Sequence, residues 1–300
     1  MPLNRTDIAD FTCFTVIAQH LNFRKAALEM GVTASALSHA MTALEARRGV
    51  RLLNRTTRSV TLTAAGEALY AALSGPFEAL GQASETLNRY RDAPMGRIRL
   101  SVPGDAATLL LAPVMPVFVE RYPDIEVEIS VNNHLIDVIG SGFDAGIRYG
   151  GTVPEDMIAQ RLSPDIRWIA AASPAYLDRF GAPLLPVDLH KHHCINIRLG
   201  NQQLYQWEFE RDGQTVAMTT AGQLTVDESH ASIGLALGGV GIIYGAEPIL
   251  KRYFEQGLLR PVLEGWASMG PGFHIYYSGR RHIPAGLRLL IKLISEMQPL

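Results

Sequence analysis

Apolar residues fall at Leu37, Met41 and Leu44, a spacing of i, i+4 and i+7 that lays them along one face of a helix. The opposite face carries Ser35, Ser38, His39 and Thr42, short hydrogen-bonding side chains almost free of acid. Just upstream, Phe23–Met30 is a shorter helical pattern that stops at Gly31, and Thr33 stands where it can cap the second helix. The stretch therefore predicts helix, tight turn at Gly31-Val32, helix. Before it, Phe11, Phe14 and Ala18 recur at i, i+3 and i+7 and predict an amphipathic helix over 6–20 that closes a small core. After it, residues 51–62 alternate polar and apolar around a basic tip, the pattern of a two-stranded wing.

From Thr63, a candidate N-cap, a long helical pattern runs to about Arg91. Leu69, Leu73, Leu80 and Leu87, with Phe77 beside them, lie near a seam spacing. A stripe of this length without a globular partner calls for a second chain to cover it. Pro76 follows Gly75 inside this pattern, and a missing backbone donor there predicts a kink or break. Residues 92–96 form a short linker. Beyond it strands are predicted at 97–102, 125–131, 144–149, 166–171, 194–198, 240–244 and 273–277, and a hairpin over 206–220 turns at Asp212-Gly213. Helices are predicted at 106–121, 134–141, 174–180, 229–238, 247–256 and 284–297. Such alternation predicts parallel-rich α/β sheets. No internal repeat or low-complexity segment is present.

With 300 residues, 47% of them hydrophobic, the chain is long enough for two or three domains with full cores. The net charge is only −2, but its distribution is uneven. Residues 1–62 hold Arg5, Arg24, Lys25, Arg47, Arg48, Arg51, Arg55 and Arg58 against Asp7, Asp10, Glu29 and Glu45, a net +4, which leaves −6 for the rest. A basic head on an acidic body suits a DNA reader whose body should not adhere to DNA. A helix faced with short polar groups suits a major groove. Cys13 and Cys194 are the only cysteines, too few for a disulfide framework or a zinc cluster, and a reducing compartment is expected. Neither a signal-peptide pattern nor a membrane-length apolar run occurs, so a cytoplasmic chain without membrane contact is expected.

Several stretches together resemble the LysR-type transcriptional regulators. In the head these are Ala26–Ser38, Leu44-Glu45, Arg51–Arg55 and Leu62–Gly66. Leu53 stands where that family usually has Phe, and His39 where it usually has a basic or long amide residue. In the body the carrying residues are Phe118 with Tyr122-Pro123, Gly142–Arg148, Ser173–Tyr176, Trp207, Gly238–Ile242 and Gly257-Leu258. The resemblance spans nearly the whole chain. It implies a winged helix-turn-helix over 1–62, a linker and dimerisation helix over 63–92, and an α/β effector-binding domain over 93–300 with a periplasmic-binding-protein-like fold. That domain is expected as two α/β subdomains joined by two crossovers, about 93–168 plus 269–300 and about 169–268. Homodimers, and commonly tetramers, are implied as well.

Ser35, Ser38 and His39 are the residues expected to approach bases, with Ala36 on the same surface. Thr33, Arg55, Thr57 and Arg58 are expected to hold the phosphate backbone of double-stranded DNA. In the body a cleft for an unidentified small-molecule effector is expected where strand ends and helix starts converge. Its candidates are Ser101, Pro103, Gly104, Asn133, Arg148, Arg198, Asn201, Gln202, Asp227 and Ser229. Taken singly, each of these polar residues is equally at home as a cap or turn. Arg148 would suit a small carboxylate, although the resemblance also gives that arginine a structural role. Gly238-Gly-Val-Gly241 lies between helix and strand, the reverse of a phosphate cradle, and reads as a helix stop. His190, His192, His193 and Cys194 look like metal ligands, but neighbours on a strand face opposite ways. Structural roles are expected for them, with no metal and no cofactor.

These patterns predict a sequence-specific regulator, not an enzyme, whose DNA binding a small molecule modulates. The rivals are a solute-binding protein or α/β enzyme with an accessory helical domain, and a structural nucleoid-type protein with little sequence preference.

Overall fold

A computed structural model describes residues 5–56, 59–88, 94–134, 137–138, 140–153, 157–198, 203–220, 222–278 and 283–300. Two compact units divide the chain, Met1–Asp92 with Gly140–Gly142, and Ala93–Ile139 with Phe143–Leu300.

The first unit begins with α1 (Arg5–His20), α2 (Phe23–Met30) and α3 (Ala34–Arg48). Phe14 and Ile17 of α1, Ala26 and Ala27 of α2, and Leu37, Met41 and Leu44 of α3 meet in one buried core. The turn between α2 and α3 has a simple cause. Asn22 Oδ1 accepts from the amides of Arg24 and Lys25, Gly31 takes the left-handed conformation (φ 65°), and Thr33 Oγ1 accepts from the amide of Ala36. Each cap satisfies donors or acceptors that a helix end leaves open. Gly49 (φ 66°) ends α3 in the same way as Gly31 ends α2.

Strands β1 (Leu53–Arg55) and β2 (Val60–Leu62) pair antiparallel as the wing, and Leu53 fills the core position with its smaller side chain. Then α4 (Ala64–Asn88) runs on through Pro76 without interruption. The predicted break does not occur. Gly75 removes one of proline's clashes, that with the Cβ of the residue before it, while the missing amide donor at Pro76 remains. Leu69 and Leu73 of α4 pack on the head core, so the upper part of the stripe has a partner within the chain, whereas Leu80 is 61% exposed. Gly66 sits so close to the Leu52 backbone that a Cβ would lie 2.1 Å from its carbonyl oxygen. Gly66→Ala should therefore cost about 1–3 kcal/mol through forced backbone shifts. Hydrogen exchange should report this as faster exchange in α1, α3 and the start of α4.

In chain order the second unit continues with β3 (Gly96–Val102), α5 (Gly104–Ala106), a π-helical turn (Ala107–Leu111), α6 (Ala112–Arg121), β4 (Ile125–Val131), β5 (Ala145–Tyr149) and β6 (Ile158–Arg161). Then come β7 (Ile166–Ala172), α7 (Pro174–Phe180), β8 (Ile195–Ile197), β9 (Trp207–Arg211), β10 (Gln214–Met218), β11 (Leu224–Val226) and α8 (Ser229–Leu237). The chain closes with β12 (Ile243–Ala246), α9 (Glu247–Glu255), β13 (Arg260–Val262), β14 (Ser268–Gly270), β15 (Phe273–Tyr277) and α10 (Ala285–Met297).

Two sheets follow one plan. In the first, β4 and β5 flank β3 in parallel, β15 runs antiparallel to β5, and β6 lies beyond it. In the second, β11 pairs parallel with β8, and Cys194 bridges in parallel to Ile242 beside β12. There β7 runs antiparallel to both β12 and β13. So the parallel expectation holds for β3, β4 and β5 and for the pair β8 and β11, while β15 and β7 pair antiparallel with every neighbour they have. Each reversed strand arrives directly from the other sheet, after β14 or β6 respectively, which makes two crossovers. The division read at 168–169 falls inside β7, all of which pairs in the second sheet.

No helix is present among the described residues of 134–141. Gly140 and Gly142 (φ 75°) favour turns there, and the buried Val138 carbonyl accepts instead from the Phe143 amide. The strand predicted at 240–244 begins later, at Ile243. Gly239 (φ 76°) turns the chain, and Gly241 leaves no room for a Cβ, which would stand 2.3 Å from the His193 carbonyl oxygen. The predicted helix stop at these glycines is what forms. Among the described residues no helix is long and apolar enough to cross a membrane.

Candidate functional site

On the head, the outward face of α3 presents Ser35, Ala36, His39 and Thr42, all exposed, while Leu37, Met41 and Leu44 are buried behind them. Thr33 is committed to its cap. Ser38 is half-buried, and its hydroxyl accepts from Arg55 Nη1 at 3.2 Å. Arg55 also reaches Thr42 Oγ1 at 3.4 Å and Glu45 Oε2 at 3.0 Å, and stacks 5.1 Å from the Phe23 ring centre. The other oxygen of Glu45 accepts from the amides of Leu52 and Leu53. Arg55 was expected at a phosphate, but its guanidinium braces the wing against α3. Its charge is largely neutralised within the protein, because the fork of a guanidinium favours a carboxylate at this distance.

Other head charges are also spent internally. Arg48 pairs with Asp7 at 2.9 Å, and Arg47 pairs with Asp10. By contrast Arg24 and Lys25, at the start of α2, are exposed. They were counted in the basic balance but not singled out, although a cation beside an N-cap next to the α3 face is a phosphate-contact position. Thr57 and Arg58 lie outside the described residues.

In the second unit a cavity of about 250 Å³ opens between the two sheets. Of the expected residues it brings together Pro103, Asn133, Arg148, Arg198, Asp227 and Ser229. Ser101 and Gly104 stand behind the wall. The Ser101 hydroxyl is fully buried and accepts from Arg148 Nη2 at 3.3 Å, and the Gly104 amide donates to Asn133 Oδ1 at 3.3 Å. Asn201 and Gln202 lie outside the described residues.

Arg148 does not stand ready for a carboxylate. Its Nη1 donates to the carbonyls of Ser101 (3.0 Å) and Ile147 (2.6 Å), and its Nη2 donates to the Ser101 hydroxyl and to the His134 carbonyl (2.8 Å). Only Nε is left without a partner, too little for a bidentate clamp. Burial lowers its pKa, against the partial compensation of Tyr276. The side chain ties β3 to β5 and the segment after β4.

The residues that dominate the cavity are ones the sequence pattern did not single out. Asp105, in the first turn after β3, is 5% exposed. Its Oδ2 accepts from the Tyr149 hydroxyl at 2.7 Å and the Ser229 hydroxyl at 3.2 Å, while its buried Oδ1 has no partner. Burial pushes the Asp105 carboxyl above its ordinary range, and the two hydroxyls only partly offset this. Burial likewise holds the Tyr149 phenol well above its usual value. A continuous aromatic wall adjoins them. Tyr149 meets Trp168 edge-on at 5.1 Å, Trp168 stacks on Tyr244 at 5.8 Å, and Tyr205 lies 5.8 Å from Trp168. Tyr244 is held by Ser268, 2.7 Å from its hydroxyl. Among the described residues, hydrogen bonds cross between the sheets' elements where Asn133 Nδ2 donates to the Asp227 carbonyl at 2.8 Å and where Ser229 donates to Asp105.

Tyr176 OH meets His192 Nδ1 at 3.2 Å and accepts from the His193 amide at 2.9 Å. The described residues contain no group of three or more side chains able to hold a metal. Cys194 is 1% exposed and burial pushes its thiol up to about 12. A thiolate is the reactive form, so a thiol reagent at pH 8 should leave Cys194 unmodified until the protein is denatured. Rapid stoichiometric labelling in the folded state would show that the site opens.

Comparison with known proteins adds the following. Residues 8–67 match the family described as bacterial regulatory helix-turn-helix protein, lysR family, and residues 91–299 match the LysR substrate binding domain. A putative transcriptional regulator of Pseudomonas aeruginosa is 38% identical over 298 residues, covering 98% of this chain and 97% of its own. An uncharacterised helix-turn-helix regulator of Escherichia coli, YcaN, is 35% identical over 294 residues, covering 98% and 96%. The full-length structure of the Vibrio cholerae virulence activator AphB superposes with a TM-score of 0.67 at 26% identity, over 96% of this chain and 98% of that one.

Proposed function

Because this chain belongs to the LysR-type family of transcriptional regulators, with a DNA-binding head and an effector-binding domain, we propose that the exposed face of α3 reads base edges while α2 and the wing hold phosphates. The carrying observation is that Ser35, Ala36 and His39 stand exposed together on a helix whose other side is a packed core. Short side chains there allow the helix backbone to approach base edges closely. His39 supplies the longest reach. Arg24 and Lys25 supply free cations at the flank, and Arg55 fixes the height of the wing above α3.

The cavity between the sheets is the proposed effector site. A ligand held there would bear on the hydrogen bonds that link the sheets' elements, and so on their relative setting. Exposed Leu80 on α4 supports a dimer through that helix, with tetramers possible by a second contact. Two heads then read an interrupted inverted repeat in the cytoplasm. Retention of genomic fragments by the intact chain, before and after adding a metabolite extract, tests this reading. A small subset of fragments should be retained, and the extract should change their retention. Equal retention of all fragments would instead favour a nucleoid-type protein.

A further inference from the structure

The effector's chemical class is not given by family membership, but the cavity's chemistry narrows it. We infer that the cavity takes an organic cation, a primary ammonium on an apolar or aromatic frame, with the Asp105 carboxylate as its counter-charge beside the rings of Tyr149 and Trp168. This rests on the reading of the cavity as the effector site.

Three observations converge. First, Asp105 Oδ1 is buried and without a partner, while Oδ2 is already held by two hydroxyls. A buried carboxylate with an unmatched oxygen in the cavity wall is costly, and a cation arriving beside it offsets part of that cost. Second, the adjoining wall is aromatic, from Tyr149 through Trp168 to Tyr205 and Tyr244. Ring faces and carboxylates together are the surroundings that a desolvated ammonium needs. Third, the counter-argument from basic residues is weak. Arg148 has four of its five donors committed to protein oxygens, and Arg198 lines the cavity from an exposed position, as Glu208 and Asp227 do, and is outnumbered by them. A carboxylate ligand would meet Asp105, with Glu208 and Asp227 also lining the cavity, as like charges.

Calorimetry of the intact chain against charge-swapped probes on one frame tests the inference. The pairs are benzylammonium with phenylacetate, and cyclohexylmethylammonium with cyclohexylacetate. Each ammonium should bind at least ten-fold more tightly than its carboxylate. Asp105→Asn should erase that preference, and Ser229→Ala, which keeps the charge, should retain it. Thermal melting of both variants guards against misfolding. Tighter binding of the carboxylates, binding of neither probe, or a preference that survives Asp105→Asn would overturn the inference. The two readings fail differently. If ammonium binding is selective but leaves duplex affinity unchanged at saturation, the cavity's regulatory role falls and the ligand class stands. If phenylacetate binds there and shifts duplex affinity, the regulatory role stands and the ligand class falls.

Discussion

Arg55→Ala is expected to lower affinity for a cognate duplex by ten-fold or more and to alter which sites are preferred. A residue that only touched phosphate would weaken every site alike, and would flatten the salt dependence by about 0.9 in log–log slope. Arg55 differs because it joins three elements. Its guanidinium holds Ser38 and Thr42 on α3, Glu45 at the end of the same helix, and the Phe23 ring on α2. Removing it frees the Ser38 hydroxyl to reorient and leaves Glu45 with an unpaired carboxylate oxygen. The salt slope should move by less than one phosphate's worth, because Glu45 already offsets the charge. Stability should also fall, by an amount between the roughly 0–1 kcal/mol of an exposed pair and the roughly 3–5 kcal/mol of a buried one. Arg55→Lys should not rescue specificity, since an ammonium cannot fork to Ser38 and Glu45 together. Binding isotherms at several salt concentrations, on two or more duplexes, separate these outcomes. A uniform loss across duplexes with a full phosphate's change in slope would return Arg55 to the backbone.

Asp105→Asn is expected to stabilise the effector-binding domain at neutral pH. The carboxyl is buried, one oxygen is unmatched, and burial raises its pKa above the ordinary 3.8. The sign follows from proton linkage. In the pH range above 3.8 and below the raised value, the folded state holds a proton that the unfolded state has lost. Stability contributed by this site therefore falls as pH rises through that range. Asparagine keeps an acceptor for Tyr149 and Ser229 but carries no charge. The gain above that range comes from removing a buried charge, about 1.4 kcal/mol for each unit by which the carboxyl is raised, less the cost of the amide NH2 that takes the unpartnered oxygen's place. For a domain of this size each kcal/mol is about 2–4 °C in Tm. Below pH 4 the two proteins should melt together. A lower Tm for the variant at every pH would show that the carboxylate is compensated in the unliganded chain. A stabilising loss at a binding site is the pattern of a residue kept for function against stability.

The helix-turn-helix was legible because its signals are local. Gly31, Thr33 and the Leu37, Met41, Leu44 spacing each act within a few residues, and the structure uses them as written. Strands β3, β4, β5, β7, β8, β12 and β15 were legible for the same reason, whereas the short strands β6, β11, β13 and β14 were not predicted. What escaped was decided by partners distant in sequence. Arg148 and the adjacent Tyr149 both line the cavity, yet the guanidinium is spent on protein oxygens while the phenol holds Asp105, and only partners distant in sequence decide this. Trp168, Tyr205 and Tyr244 come from three different segments and share no spacing that a pattern could reveal. Asp105 was not singled out, although its neighbours Pro103 and Gly104 were candidates for the cleft. Carboxylate chemistry stands there, with a Glu228 oxygen 3.1 Å from where a Gly104 Cβ would be. Of the kink or break expected at Pro76, the break does not form, since helical pairing resumes on both sides of the one missing donor.

The account depends most on His39 and its neighbours reading bases. Selection of bound duplexes from a random pool, run in parallel with the intact chain and with His39→Ala, tests this directly. The prediction is that both proteins enrich a defined motif and that the two motifs differ at one or two positions, with discrimination there changed by about 1–3 kcal/mol. Identical motifs from both proteins, or no enrichment over the starting pool, would contradict it.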